Sequence, residues 1–330
     1  VRRWRRVLVA ATVAVGVVAA VGAASAAPGE QNRWVELADW TQGEAVGYAN
    51  QLDGSGQNVP TMYYAALAYH DALRHGWQDK RTQEWLGKVY GDRLASGGYG
   101  LDERMDAYGD GRWNTPDTTY AITTAWHVGR VLLAGYDAGA VPREEITRIA
   151  DTLIDFPVLR GGECIAYSSS GYDQGKPCVW NVVAAAAWFL WQTDVRGLAP
   201  QGERDKLLAK TRTWRDNVRS QFRTGLGGWP YQDDTSGPQG AWHNAATVYT
   251  MAQADPSIAT AALDGQFRAF PANGSNTDLI GAFTNYCGHA DVTYRAAYDS
   301  AHANPPTIRE KLGVRASYVF STLLAGSSCG

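Results

Sequence analysis

Apolar and polar positions fall along this chain in blocks of helical length, and the blocks are of two kinds. Ala121 to Leu133, with Trp126, Val128, Val131 and Leu132, is apolar on nearly every face, as is Val182 to Trp191, which reads Val-Val-Ala-Ala-Ala-Ala-Trp-Phe-Leu-Trp. A helix without a polar face is a buried one. Lys80 to Leu94, Pro142 to Ile154, Gly202 to Phe222 and Pro306 to Leu324 instead mix Lys, Arg, Glu and Asp with periodic Leu, Val, Ile and Trp. That spacing predicts amphipathic helices lying outside the apolar ones. No stretch sustains a two-residue alternation with β-branched enrichment, so sheet is expected only as short pairings within loops.

The blocks recur with a fixed period. Three long polar loops begin at Gly97-Gly98-Tyr99-Gly100, Gly161-Gly162-Glu163-Cys164 and Gly227-Gly228-Trp229-Pro230. The apolar segments after them open at Asp117-Thr118-Thr119-Tyr120, Trp180-Asn181-Val182 and Trp242-His243-Asn244. Asp117 to Asn181 is 64 positions and Asn181 to Asn244 is 63, enough for two helices and one unusually long loop per unit. Weaker copies flank these three, at Pro60 to Ala65 and at Ala290 to Ala296, and a further element is expected around Trp34 to Leu52. Inner apolar helices alternating with outer amphipathic ones, joined by short turns at one end and long loops at the other, predict an all-α fold. The expected form is an α/α toroid of about five to six helical hairpins.

The unit of Gly-Gly-aromatic, polar loop, Asp or Asn at a helix start and Ala-rich helix resembles the repeats of the terpenoid cyclase and protein prenyltransferase toroids. Its layout is also similar to that of secreted α/α-barrel glycoside hydrolases and polysaccharide lyases. The resemblance covers most of residues 55–326 and implies a fold, while chemistry must be read from the site.

Val1 to Ala26 carries Arg2, Arg3, Arg5 and Arg6, then an apolar run and an Ala24-Ser25-Ala26 exit, the pattern of a secretory signal peptide. Residues 27–330 are then one domain, secreted, free of the membrane after cleavage and expected to be a monomer. The net charge of −3 includes those four arginines; without them 26 basic residues face 33 acidic ones. An acidic exported domain does not suit nucleic acid, which is bound by neutralising phosphates. Four cysteines in an exported chain predict two disulfides, Cys164 with Cys178 and Cys287 with Cys329.

In a toroid the starts of the inner helices and the long loops meet at one end, which brings Asp117, Asn181, His243, Asn244, His289 and Asp291 together. Taken singly, the Asp and Asn residues of this set are ordinary helix caps. The loops add the acids Asp102, Glu103, Asp106, Asp110, Glu163, Asp173, Asp233 and Asp234, and rings that include Tyr99, Tyr108, Trp113, Tyr167, Tyr172, Trp180, Trp229 and Tyr231. Rings stack on sugar faces, and two carboxylates can serve as acid and base across a glycosidic bond. The expectation is hydrolysis of a neutral polysaccharide or oligosaccharide, with no cofactor and no metal. Asp117 and Asp233 or Asp234 form the expected carboxylate pair, and Glu103 and Glu163 stand in reserve. His243 and Asn181 are expected to orient the substrate; Trp113, Trp180 and Trp229 are expected to stack on it, with Tyr231, Asn244, His289 and Asp291 nearby.

Three other readings use the same scaffold. Uronate β-elimination would employ His243, Asn244, His289, Arg295 and Tyr231, but acidic loops repel a polyanion. A glycan- or protein-binding toroid needs only the rings. A terpenoid cyclase-like enzyme would need an acidic motif that Tyr231-Gln232-Asp233-Asp234 lacks at its leading position. Cys287-Gly288-His289-Ala290-Asp291 offers zinc-ligand types, yet a Cys287 disulfide would remove the sulfur ligand.

Overall fold

The computed structural model describes residues 61–226, 228–235, 237, 239, 243, 246–247 and 250–251. The leader, the segment around Trp34 to Leu52, Asn244, the Cys287–Cys329 pairing, His289, Asp291 and the final amphipathic segment lie outside the described residues. Within them the chain is mostly helical, with six α-helices and a single two-stranded ladder. These helices are α1 (Thr61–His75), α2 (Lys80–Gly91), α3 (Gly129–Asp137), α4 (Arg143–Asp155), α5 (Trp180–Val195) and α6 (Arg204–Ser220).

They pair as hairpins, α1 with α2, α3 with α4 and α5 with α6. The first members of successive hairpins also touch, because the π-helical turn Thr123–Val128 that opens the α3 rod packs on both α1 and α5. Burial follows the two kinds of segment. In α5 the run from Trp180 to Leu190 is buried without a break, while α4 buries Ile146, Ile149, Ala150, Leu153 and Ile154 and α6 buries Leu207, Thr211, Trp214 and Val218 on one stripe each.

Polar residues set the hairpin corners. Asp79 ends the turn before α2 and accepts the N–H of Arg81 at 2.9 Å, an ordinary N-cap. Asp71 on α1 is fully buried, which it tolerates because it accepts the Trp85 indole N–H at 2.9 Å and pairs with Arg81 at 3.1 Å.

One of the apolar helices departs from regular geometry. The N–H of Gly129 donates to the carbonyl of Thr124, five residues back, instead of four. A side chain at Gly129 would lie 2.7 Å from the Phe189 ring of α5, so this turn and α5 approach more closely than any larger residue permits. Trp126 meets Trp188 of α5 edge-on at 5.6 Å in the same layer. Such π turns occur chiefly where an extra residue has been accommodated in a helix, often near functional sites.

The first glycine pair has two separate causes. Gly97 sits at φ +86, and Gly98 leaves only 2.5 Å between a would-be Cβ and the Thr119 methyl. Among the described residues sheet is confined to the loops, as expected from the absence of alternation: Val158–Leu159 pairs antiparallel with Cys164–Ile165, and four isolated bridges join other loop segments. The Cys164–Cys178 disulfide is present, closing the loop between α4 and α5. No helix among the described residues is long and apolar enough to cross a membrane.

Candidate functional site

The three long loops are fastened to one another in sequence order. Between the first and second, the backbone N–H of Ala121 donates to Tyr167 O at 3.1 Å and that of Ser169 to Thr119 O at 2.9 Å. Asn114 Nδ2 donates to Asp173 at 2.9 Å, Tyr108 Oη to the Pro177 carbonyl at 3.2 Å, and Lys176 pairs with Asp110 at 2.5 Å. Between the second and third, the N–H of Trp180 donates to Tyr231 O at 3.1 Å and that of Cys178 to the Asp233 carboxylate at 2.8 Å. The same oxygen of Asp233 lies 2.6 Å from Arg160.

This stitching delivers a chain of tyrosines to the starts of the inner helices. Tyr167 meets Tyr108 edge-on at 6.0 Å and Tyr120 at 5.7 Å, and it is coupled electrostatically to Tyr231. Tyr231 in turn contacts His243 with ring centroids 4.8 Å apart. His243 and Arg130 act electrostatically on His127, a partly buried residue of the π turn. The junction therefore runs from the first loop through the second and third to His243.

Burial controls protonation throughout this junction. It pushes the Tyr120 hydroxyl up to about 12, and it raises Tyr108, Tyr167 and Tyr231 as well, with Asp173 and neighbouring phenols adding to the rise at Tyr108 and Tyr167. These phenols are consequently neutral at physiological pH, fit to donate and accept hydrogen bonds. Burial lowers His127 to about 3, helped by the positive charge of Arg130 and by His243, so this imidazole is neutral too.

The carboxylates named from sequence occupy different settings. Asp117 is exposed and accepts a hydrogen bond from the Thr115 hydroxyl; Glu103, Glu163 and Asp234 are also exposed. Asp233 retains 15 % side-chain exposure and is engaged by Arg160 and the Cys178 amide. Asp173, which the sequence marks only as a loop acid, is buried and satisfied by Asn114 and Ser168.

The rings separate in the same way. Trp113 is 49 % exposed, whereas Trp229 is fully buried, donates its indole N–H to Val218 O at 2.8 Å and packs edge-on to Phe222 at 5.1 Å. Trp229 and Tyr99, the aromatic members of two Gly-Gly-aromatic units, are thus wedges of the core. Trp180 and Asn181 are both buried in the first turn of α5, and Trp180 Nε1 and Asn181 Oδ1 find no hydrogen-bond partner among the described residues. Val179, not Asn181, is the N-cap of that helix. His127 escaped the sequence reading because a lone histidine inside an apolar helix carries no signal until its neighbours are known.

Compared with protein-family models, with curated proteins and with solved structures, the chain matches none.

Proposed function

We propose that the protein is an exported carbohydrate-active enzyme built as an α/α toroid. It hydrolyses a glycosidic bond of a neutral polysaccharide or oligosaccharide where the helix starts and long loops meet. The ring is supported by the succession of hairpins whose first helices pack on one another. The functional reading is carried by the tyrosine junction. Four phenols kept protonated by burial, His243 beside one of them, and the buried side-chain oxygen of Asn181, which has no hydrogen-bond partner among the described residues, offer both hydrogen-bond senses and aromatic walls. That combination suits a ligand made of hydroxyls and apolar ring faces.

Asp117 and Asp234 are the acid and base of this proposal, since both carboxyls are open to solvent whereas Asp233 is held by Arg160 and Cys178. Glu103 and Glu163 are the reserves. Hydrolysis by such a pair requires the two carboxyls to face one cleft about 5 to 10 Å apart in the substrate complex.

A second reading, β-elimination of a uronate, draws on the Tyr231 to His243 contact, because elimination moves protons through residues of those types. The raised tyrosines oppose it, since a phenol serves as base only when ionised.

One screen tests both. The mature protein, residues 27–330, is incubated with neutral, acidic and cell-wall polysaccharides while reducing ends and absorbance in the unsaturated-uronate band are followed. Reducing ends without absorbance support hydrolysis; absorbance overturns it in favour of elimination. Silence in both with retained binding to one polymer makes the chain a glycan-binding toroid.

A further inference from the structure

Only four large hydrophobic side chains among the described residues are exposed, and two of them are aromatic rings on neighbouring loops, Trp113 at 49 % and Tyr172 at 52 %. Their immediate neighbours in sequence behave oppositely. Asn114 and Asp173 are buried and hydrogen-bonded to each other at 2.9 Å, with Ser168 completing the knot. Asn114 sits in extended backbone, bridged to Met105, where consecutive side chains point to opposite sides. Turning Asn114 inward therefore turns Trp113 outward. Tyr172 lies in the single turn Gly171–Asp173, whose start is capped by the Ser170 hydroxyl accepting the Tyr172 N–H at 3.2 Å.

The knot also limits how far apart the rings stand. Two Cα steps of 3.8 Å plus the reach of two hydrogen-bonded short side chains place the Cα atoms of Trp113 and Tyr172 within roughly 18 Å of each other. The two loops cannot drift, because Lys176 pairs with Asp110, Tyr108 bonds Pro177, and the Cys164–Cys178 disulfide closes the second loop. Arg104 lies 5.9 Å from the Trp113 ring and steadies it. Rings held out from a rigid base bind at little cost in conformational entropy.

We propose that Trp113 and Tyr172 form a docking platform for an extended neutral polysaccharide, separate from the tyrosine junction and serving to hold a polymer against it. This rests on the glycan reading above. Charge around the platform is of both signs and leans acidic: Glu103, Asp106, Asp110 and Asp117 are interspersed with Arg104, Arg112 and Lys176, and Lys176 is already paired with Asp110. A surface of interspersed signs favours neither a polyanion nor a nucleic acid, while its carboxylates, guanidinia and hydroxyls can all bond sugar hydroxyls.

The test uses residues 27–330 and three insoluble probes, swollen cellulose, chitin and arabinoxylan, in a depletion assay. The wild type is expected to bind at least one, and Trp113→Ala with Tyr172→Ala to weaken that binding at least tenfold at unchanged thermal midpoint. Trp113→Tyr and Tyr172→Phe, which keep the rings, are expected to bind within threefold of wild type. Equal binding by the double alanine variant overturns the platform, and so does failure of the wild type to bind any probe, which would leave the rings to a protein partner. Sugar release from soluble oligosaccharides by the wild type reports separately on hydrolysis: release without ring-dependent polymer binding sinks the platform alone, and ring-dependent binding without release sinks hydrolysis alone.

Discussion

The guanidinium of Arg160 lies 2.6 Å from the carboxylate of Asp233, 73 positions later, and the same oxygen accepts the Cys178 N–H at 2.8 Å. Arg160 adopts φ +53, a left-handed conformation rare for residues other than glycine. The ion pair helps to hold that backbone in place while it ties the second loop to the third. Asp233→Ala is expected to cost about 1 to 2 kcal/mol, the lower part of the range for a hydrogen-bonded charge because the Arg160 side chain is half exposed. Urea denaturation of the variant checks this, and an unchanged midpoint would show the pair to be ornamental.

The disulfide joins Cys164 to Cys178 across a sequence separation of 14, and both cysteines are fully buried. Loop-closure entropy assigns it about 3 kcal/mol. Cys164→Ala with Cys178→Ala should therefore lower the thermal midpoint by roughly 5 to 10 °C. Calorimetry of the variant beside the oxidised wild type gives the comparison; a shift below 1 °C would mean the loop is held by its hydrogen bonds alone.

Asp173→Ala removes the acceptor shared by Asn114 and Ser168 in a buried setting. Stranding those two groups is expected to cost about 1 to 3 kcal/mol. Chemical denaturation reads the loss, and intrinsic fluorescence reads whether Trp113 changes environment when its neighbour is released.

His127 predicts acid sensitivity. Its folded pKa, about 3, lies below the ordinary 6.5, so the unfolded chain binds the extra proton and stability must rise with pH between those values. Read in the other direction, acidification from pH 7 to 4.5 should remove stability on the order of 2 kcal/mol through this residue, discounted for its partial exposure. Denaturation at the two pH values, compared with His127→Gln, checks it: the variant should lose most of that pH dependence, and an equal dependence would assign it to other groups.

Gly98→Ala places a methyl 2.5 Å from Thr119 Cγ2 and 3.0 Å from Thr124 Oγ1, both fixed by hydrogen bonds to the loops. Overpacking at such a site is expected to cost about 1 to 3 kcal/mol. Thermal denaturation measures it, and Gly171→Ala, at an ordinary φ with no atom within 4 Å, gives the cost of the added methyl without crowding.

Much of the architecture was legible in residue order because helices and short-range links depend on near neighbours. Lys80 to Leu94 and Gly202 to Phe222 became α2 and α6, each two to three residues shorter at a trimmed end, and Pro142 to Ile154 became α4 shifted by one residue, because the apolar stripe marks the face that covers the core but not where the helix stops. The all-apolar run before Trp191 became the buried α5, and two cysteines bracketing one loop found each other.

The loops obeyed different rules. Nothing in the local spelling separates Trp113, which faces solvent, from Trp229, which fills the core, since the deciding neighbours of Trp229 are Val218 and Phe222 across a fold of the chain. Asp233 became a loop tie through Arg160, Asp173 a buried acceptor through Asn114, and His127 a neutral imidazole partly through His243, all partners far away in sequence. Periodicity reports which face of an element avoids water. Which charge meets which, and what burial does to a proton, depends on contacts that exist only after the elements have packed.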